Sequence, residues 1–134
     1  GTYQLTLTDQ GAGDPLFGAL PRRFKAQLGH MDRAARLPSA VEHLAGSDRA
    51  PFQALRVKGH PVYATQFHPE LTWLDNRGRF LRYMDTYGRL FGQERAQQQL
   101  DGHEPSPEAN ALLRRFVDVV VLGHKEDVAQ IGEA

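Results

Sequence analysis

The chain has 134 residues, 16 Lys plus Arg balanced by 16 Asp plus Glu, and no cysteine. That length supports one domain at most, and the even, unclustered charge argues against a broad electrostatic footprint for nucleic acid or an anionic membrane. No apolar run reaches the ~18 residues of a membrane span, no charged-then-apolar start resembles a signal peptide, and the missing cysteines exclude disulfides and Cys-based zinc sites and agree with a cytoplasmic protein.

In chain order, Thr2 to Thr8 alternates, with Tyr3, Leu5 and Leu7 on one side and polar residues on the other. This period of two predicts a half-exposed strand. Asp9 to Pro15 is turn chemistry. Leu16, Phe17 and Leu20 form a small apolar patch on one helical turn, and Phe24 to Leu28 reads as a second strand. After the turn at Leu37-Pro38-Ser39, with Ser39 as a candidate cap, Ala40 to Leu44 reads as a short helical turn and Leu44 to Ser47 as a weak strand. Phe52 to Val57 alternates well, and Lys58-Gly59-His60-Pro61 turns the chain into a last, buried strand over Val62 to Phe67.

Beyond Glu70 the period changes. Trp73, Phe80, Leu81, Met84, Tyr87 and Phe91 fit one helix from about Asp75 to Leu90, stopped by Gly92. Tyr83, Tyr87 and Phe91 on it read as core. Gln93 to Leu100 is polar and tolerates a helix, and Asp101 to Pro105 is a loop in which His103 reads as solvated. Ser106-Pro107-Glu108 starts a final helix. Its end, Val119 to Leu122, is apolar all round and is expected to be buried, and the tail from Lys125 is expected to fray.

The chemistry concentrates in Gln66-Phe67-His68-Pro69-Glu70. Pro69 holds His68 extended, and side chains at i and i+2 of an extended segment project from one side. The imidazole of His68 and the carboxylate of Glu70 can therefore meet, the carboxylate orienting one ring nitrogen and freeing the other to take a proton. That is the base-plus-orienter half of a nucleophilic triad; the bland alternative is a strand-end histidine beside an acid. Of the three serines, Ser39, Ser47 and Ser106, none lies in a Gly-x-Ser-x-Gly turn. Four histidines (His30, His43, His60 and His68) fall within one stretch, yet none forms the i, i+4 pair of a helical zinc site, so no metal is assigned.

The same five residues resemble the Gln-Phe-His-Pro-Glu signature of class I glutamine amidotransferase domains, in the guanosine-monophosphate-synthetase-like branch. Asp14-Pro15-Leu16-Phe17, Gly29-His30-Met31-Asp32, Leu37-Pro38 and Leu44-Ala45-Gly46-Ser47 follow the family's order and spacing, so the resemblance covers about residues 2 to 90. It implies an α/β, flavodoxin-like fold, here in its C-terminal part: mostly antiparallel strands plus closing helices. Residues 1–92 are then the C-terminal part of such a domain and 93–134 a helical extension and polar tail.

The resemblance also implies that His68 and Glu70 complete a Cys-His-Glu triad whose Cys, in a Gly-x-Cys-x-Gly turn, lies ahead of this chain. Met31 stands where the family has Gly, and His30, Asp32 and Gln66 are carried as residues near the substrate, against a reading of them as loop anchors or backbone partners. Glutamine is the implied substrate, and the implied ammonia acceptor is a synthetase domain or subunit; no cofactor is implied. The chain alone is expected to be inactive, and a part-domain with uncovered apolar faces is expected to form a dimer or larger assembly. The alternatives are an inactive binding or regulatory module and a γ-glutamyl hydrolase-like enzyme.

Overall fold

The alternation of the first segment becomes strand β1 (Thr2–Leu7), with Leu5 and Leu7 buried and Gln4 and Thr6 exposed. The computed structural model describes residues 1–29 and 32–123. Four more strands follow: β2 (Arg23–Gln27), β3 (Val41–Gly46), β4 (Ala54–Val57) and β5 (Tyr63–Thr65). They form one sheet in the order β2-β1-β3-β4-β5, antiparallel at every step. Among the described residues five α-helices accompany it: α1 (Asp9–Ala12), α2 (Trp73–Arg82), α3 (Met84–Phe91), α4 (Gln93–Asp101) and α5 (Pro107–Arg115), with a 3-10 turn over Phe17–Ala19. No described helix is long and apolar enough to cross a membrane.

Leu5, Leu16, Phe17, Phe24, Leu44 and Phe67 make one apolar cluster, which also takes in Ala109 and Leu112 of α5. A buried carboxylate braces it. Asp14 Oδ1 accepts from the Leu16 and Phe17 backbone N–H groups at 2.8 and 2.9 Å, while Oδ2 receives Arg56 at 3.1 Å and the Tyr63 hydroxyl at 3.0 Å. The bend after α1 is thus bolted to β4 and β5. Burial first, then the Asp14 charge, pushes ionisation of the Tyr63 phenol above its ordinary range, so the hydroxyl stays a donor.

Several expectations change. Ala40 to Leu44 is not helical, because β3 pairs with both β1 and β4. A register shift between His43 and Ala45 leaves Leu44 and Ala45 both buried, and this bulge hides the period of two. The last strand is shorter than expected and lies at the sheet edge, with Val62 54% exposed. The expected single helix breaks at Tyr83. Phe80 and Tyr87 stack with centroids 4.4 Å apart, whereas a straight helix would separate residues seven apart by about 10.5 Å along its axis.

Tyr83, Tyr87 and Phe91 are not core: Tyr83 and Phe91 are exposed, and all three line an open hollow of about 710 Å³ with Arg79 and Arg95. Ser106 precedes α5 without capping it through its side chain. Past α5 the helix widens to i→i−5 pairing over Phe116–Val121, with Leu122 N–H on Val117 O. Its end is only half covered: Val119 is buried, whereas Val121 and Leu122 are exposed. The tail from Lys125, and His124 before it, lie outside the described residues.

His103 is buried rather than solvated. Its ring packs edge-on against Phe80, Nδ1 lies 2.9 Å from Leu100 O, and Nε2 is enclosed without a partner. Burial lowers its pKa below the usual 6.5. The unfolded chain therefore takes up this proton at higher pH than the folded one. The neutral ring's stabilisation is whole above about pH 6.5 and is lost progressively as the pH falls below it.

This packing can be tested at two points. A Cβ on Gly11 would lie 2.0 Å from Leu44 O, whereas one on Gly78 meets nothing within 4 Å. Urea unfolding should show Gly11→Ala losing roughly 2 kcal/mol or more and Gly78→Ala gaining roughly 0.5–1 kcal/mol; equal effects would refute the close contact. Unfolding at about pH 7.5 and 5.5, either side of the ordinary histidine range, should show acid destabilisation that His103→Phe reduces. An unchanged pH dependence in that variant would place the titration elsewhere.

Candidate active site

The chain leaves β5 through Gln66, whose N–H bonds Gln53 O at 2.9 Å. Phe67 turns into the core, edge-on to Phe24. His68 then follows at the rim. Its N–H donates to Gln27 O at 2.9 Å, and Leu71 N–H returns to His68 O at 3.2 Å, closing a turn over His68-Pro69-Glu70-Leu71. Thr72 ends the loop by capping α2, its Oγ1 accepting from Asp75 N–H at 3.2 Å.

Within this turn, His68 Nδ1 lies 2.7 Å from Glu70 Oε1, with the side chains 33% and 56% exposed. Donation from Nδ1–H to the carboxylate leaves the lone pair on Nε2, the tautomer a general base requires. The two residues paired by their spacing do meet.

The loop stands on a buried polar network. Gln27, fully buried at the end of β2, has Oε1 2.9 Å from Asn76 Nδ2 of α2 and 3.0 Å from Thr2 Oγ1. Its Nε2 donates to Glu104 O at 2.9 Å and to Ser106 Oγ at 3.0 Å. Asn110 of α5 donates to both Pro69 O and Leu71 O at 2.9 Å. Sequence reasoning misses these supports. Alternation in β2 puts Gln27 on the face of Arg23 and Lys25, which are exposed, so it reads as solvated. A better signal lies in Asn76, one turn before Phe80 on the same buried face.

Asp32 is exposed in the connection between β2 and β3, and Gln66 is half-buried with its backbone spent on Gln53. His30 lies outside the described residues. Of the remaining histidines, His43 holds a loop, its Nε2 lying 3.0 Å from Ala45 O and 2.6 Å from Pro51 O. Among the described residues, no group of three or more His, Cys, Asp or Glu side chains is placed to hold a metal ion.

Comparison with known proteins decides the family. The model of the class-I glutamine amidotransferases matches residues 2–83. The chain belongs to that family. A glutamine-hydrolysing GMP synthase of Thermosipho melanesiensis is 42% identical over 59 residues, which is 44% of this chain and 12% of that protein. One of the subunits of the glutamine-hydrolysing GMP synthase of Methanocaldococcus jannaschii is 34% identical over 80 residues, 60% of this chain and 43% of that one. The chain thus spans less than half the length of these curated relatives.

Two crystal structures share the fold. SMU.1228c matches with a TM-score of 0.68 at 23% identity, over 90% of this chain and 51% of its own. A GMP synthase subunit-like protein of Thermoplasma acidophilum matches with a TM-score of 0.59 at 20% identity, over 91% of this chain and 44% of its own. The flavodoxin-like amidotransferase fold is therefore present here as a mixed α/β part with an antiparallel sheet. In this amidotransferase-family chain the family match ends at residue 83, so Asn110 reaches the His68 loop from beyond it, with Ser106 between it and Gln27.

Gln27→Met replaces a fully satisfied buried amide by an apolar side chain and strands its partners. It should cost about 2–3 kcal/mol in urea unfolding. A loss under ~0.5 kcal/mol, the range of surface changes, would show that the network does not hold the loop.

Proposed function

We propose that this chain supplies the proton-handling half of a glutamine-hydrolysing site. The observation that carries this reading is the 2.7 Å contact of His68 Nδ1 with Glu70 Oε1, in a chain of the class-I amidotransferase family. A thiol from a cysteine outside these 134 residues, none of which is Cys, attacks the glutamine amide carbon. His68 Nε2 takes the thiol proton and then delivers it to the departing ammonia. It next takes a proton from water as the thioester is hydrolysed to glutamate. Glu70 holds the ring and offsets its charge while it is protonated. Backbone N–H groups stabilise the oxyanion, and no step needs a cofactor.

Glutamine is the substrate in this reading. The names of the GMP synthase relatives suggest that the ammonia passes to a synthetase partner, in the same polypeptide or in another. The exposed Leu81, Tyr83, Leu90 and Phe91 support a working form in which further protein, or a second copy, covers this face. The stretch from residue 93 acts as an extension of the domain, helical in α4 and α5, and a cytoplasmic location suits a soluble ammonia acceptor. A second reading, an inactive binding module, would be favoured by a turn ahead of this stretch that carries another residue in place of the Cys.

The purified chain should release glutamate from glutamine no faster than background. Joined to the Cys-bearing half of the domain, it should hydrolyse glutamine. His68→Ala in that form should cost roughly 10²-fold or more in kcat, and Glu70→Gln a smaller loss. Turnover by the isolated chain that His68→Ala abolishes would overturn the reading. So would a joined form indifferent to His68→Ala.

A further inference from the structure

The contact between His68 and Glu70 cannot hold itself. Glu70 is more than half exposed, and exposed ion pairs contribute roughly 0–1 kcal/mol, about what is lost in ordering two side chains. The backbone beneath it must therefore set the geometry. Pro69 fixes one torsion, and the remaining freedom lies in the peptide planes on either side of Glu70.

The first of these planes is held from α5, and the second by Leu71 N–H on His68 O at 3.2 Å. Asn110 Nδ2 donates to Pro69 O and to Leu71 O, both at 2.9 Å, so one amide grips the peptide plane entering Glu70 and the plane leaving Leu71. Asn110 Oδ1 lies 3.2 Å from Ser106 Oγ, which fixes which way the amide faces. Ser106 Oγ accepts from Gln27 Nε2 at 3.0 Å, and Gln27 O accepts from His68 N–H at 2.9 Å. The hydrogen bonds close a ring that runs from His68 through β2 and α5 back to Leu71. Ser106 and Gln27 are buried, so the bond between them is shielded from competing water, while those of Asn110 are half-buried.

We propose that Asn110 is a positioning residue that sets the orientation and tautomer of His68 by clamping the turn at the carbonyls of Pro69 and Leu71, on either side of Glu70, so that the stretch beyond the family match tunes the site. The inference rests on the reading of His68 as base and Glu70 as orienter. Its test reads the imidazole directly, without activity, so the two can fail separately.

The experiment is ¹⁵N NMR of the histidine ring nitrogens in the whole chain, at a pH where the His68 ring is neutral. The ratio of Nδ1–H to Nε2–H tautomer at His68 should fall roughly two- to tenfold in Asn110→Ala, the equilibrium equivalent of one hydrogen bond. Asn110→Asp, which keeps the shape and loses the donor, should do the same and serves if the alanine variant fails to fold. Leu112→Ala, on the same helix but buried in the core, should lower stability and leave the ratio unchanged. An unchanged ratio in the Asn110 variants, or an equal fall in Leu112→Ala, would overturn the proposal. In the unaltered chain, couplings across the hydrogen bonds from Asn110 Nδ2 to the Pro69 and Leu71 carbonyl carbons should be present. Their absence would overturn it whatever the variants do.

Discussion

One buried amide joins the parts of this molecule that matter. Gln27 ends β2 with its backbone carbonyl on His68 and its side chain on Asn76, Thr2, Glu104 and Ser106. A buried amide left unpaired costs about 1–3 kcal/mol per group, so its four directions are constraints on where its neighbours lie. The sheet supplies the fixed point, α2 and α5 supply the partners, and the turn from His68 to Leu71 is hung between them. The His68–Glu70 pair inherits its geometry from this arrangement.

The division of labour follows from exposure. Apolar packing of Leu5, Phe17, Phe24, Leu44 and Phe67 gives the fold its stability. The Asp14 brace ties the strand entering the site to the bend after α1. His68 and Glu70 lie outside the core, where a proton can come and go. The base proposed for this site must be held in place and still reached, and a ring of hydrogen bonds beneath an exposed pair meets both demands.

Much of this was legible in the sequence. Period two in β1 and β4, the cluster around Leu16 and Phe17, the stop at Gly92 and the pairing of His68 with Glu70 all depend on local chemistry, and each could be read. The failures have tertiary causes. A bulge in β3 masked its alternation, a helix whose apolar spacing was continuous breaks at Tyr83 with Phe80 stacked on Tyr87 across the break, and His103 packs against Phe80 from a polar loop. Gln27 and Asn110 were invisible as supports because the partners that matter lie far along the chain, 39 and 41 residues away for the loop carbonyls on Asn110 and 25 to 79 for the side-chain partners of Gln27.

His68, as read here, is a base that serves a thiol carried elsewhere. The most direct test is the sequence of the coding DNA ahead of the Gly1 codon, read together with the intact mass of the protein from its own cell. The expected result is an open frame that brings a Gly-x-Cys-x-Gly turn between a strand and a helix into the same polypeptide. A frame that starts at Gly1, or a turn with another residue in place of the Cys, would leave His68 with no nucleophile to serve and would contradict this reading.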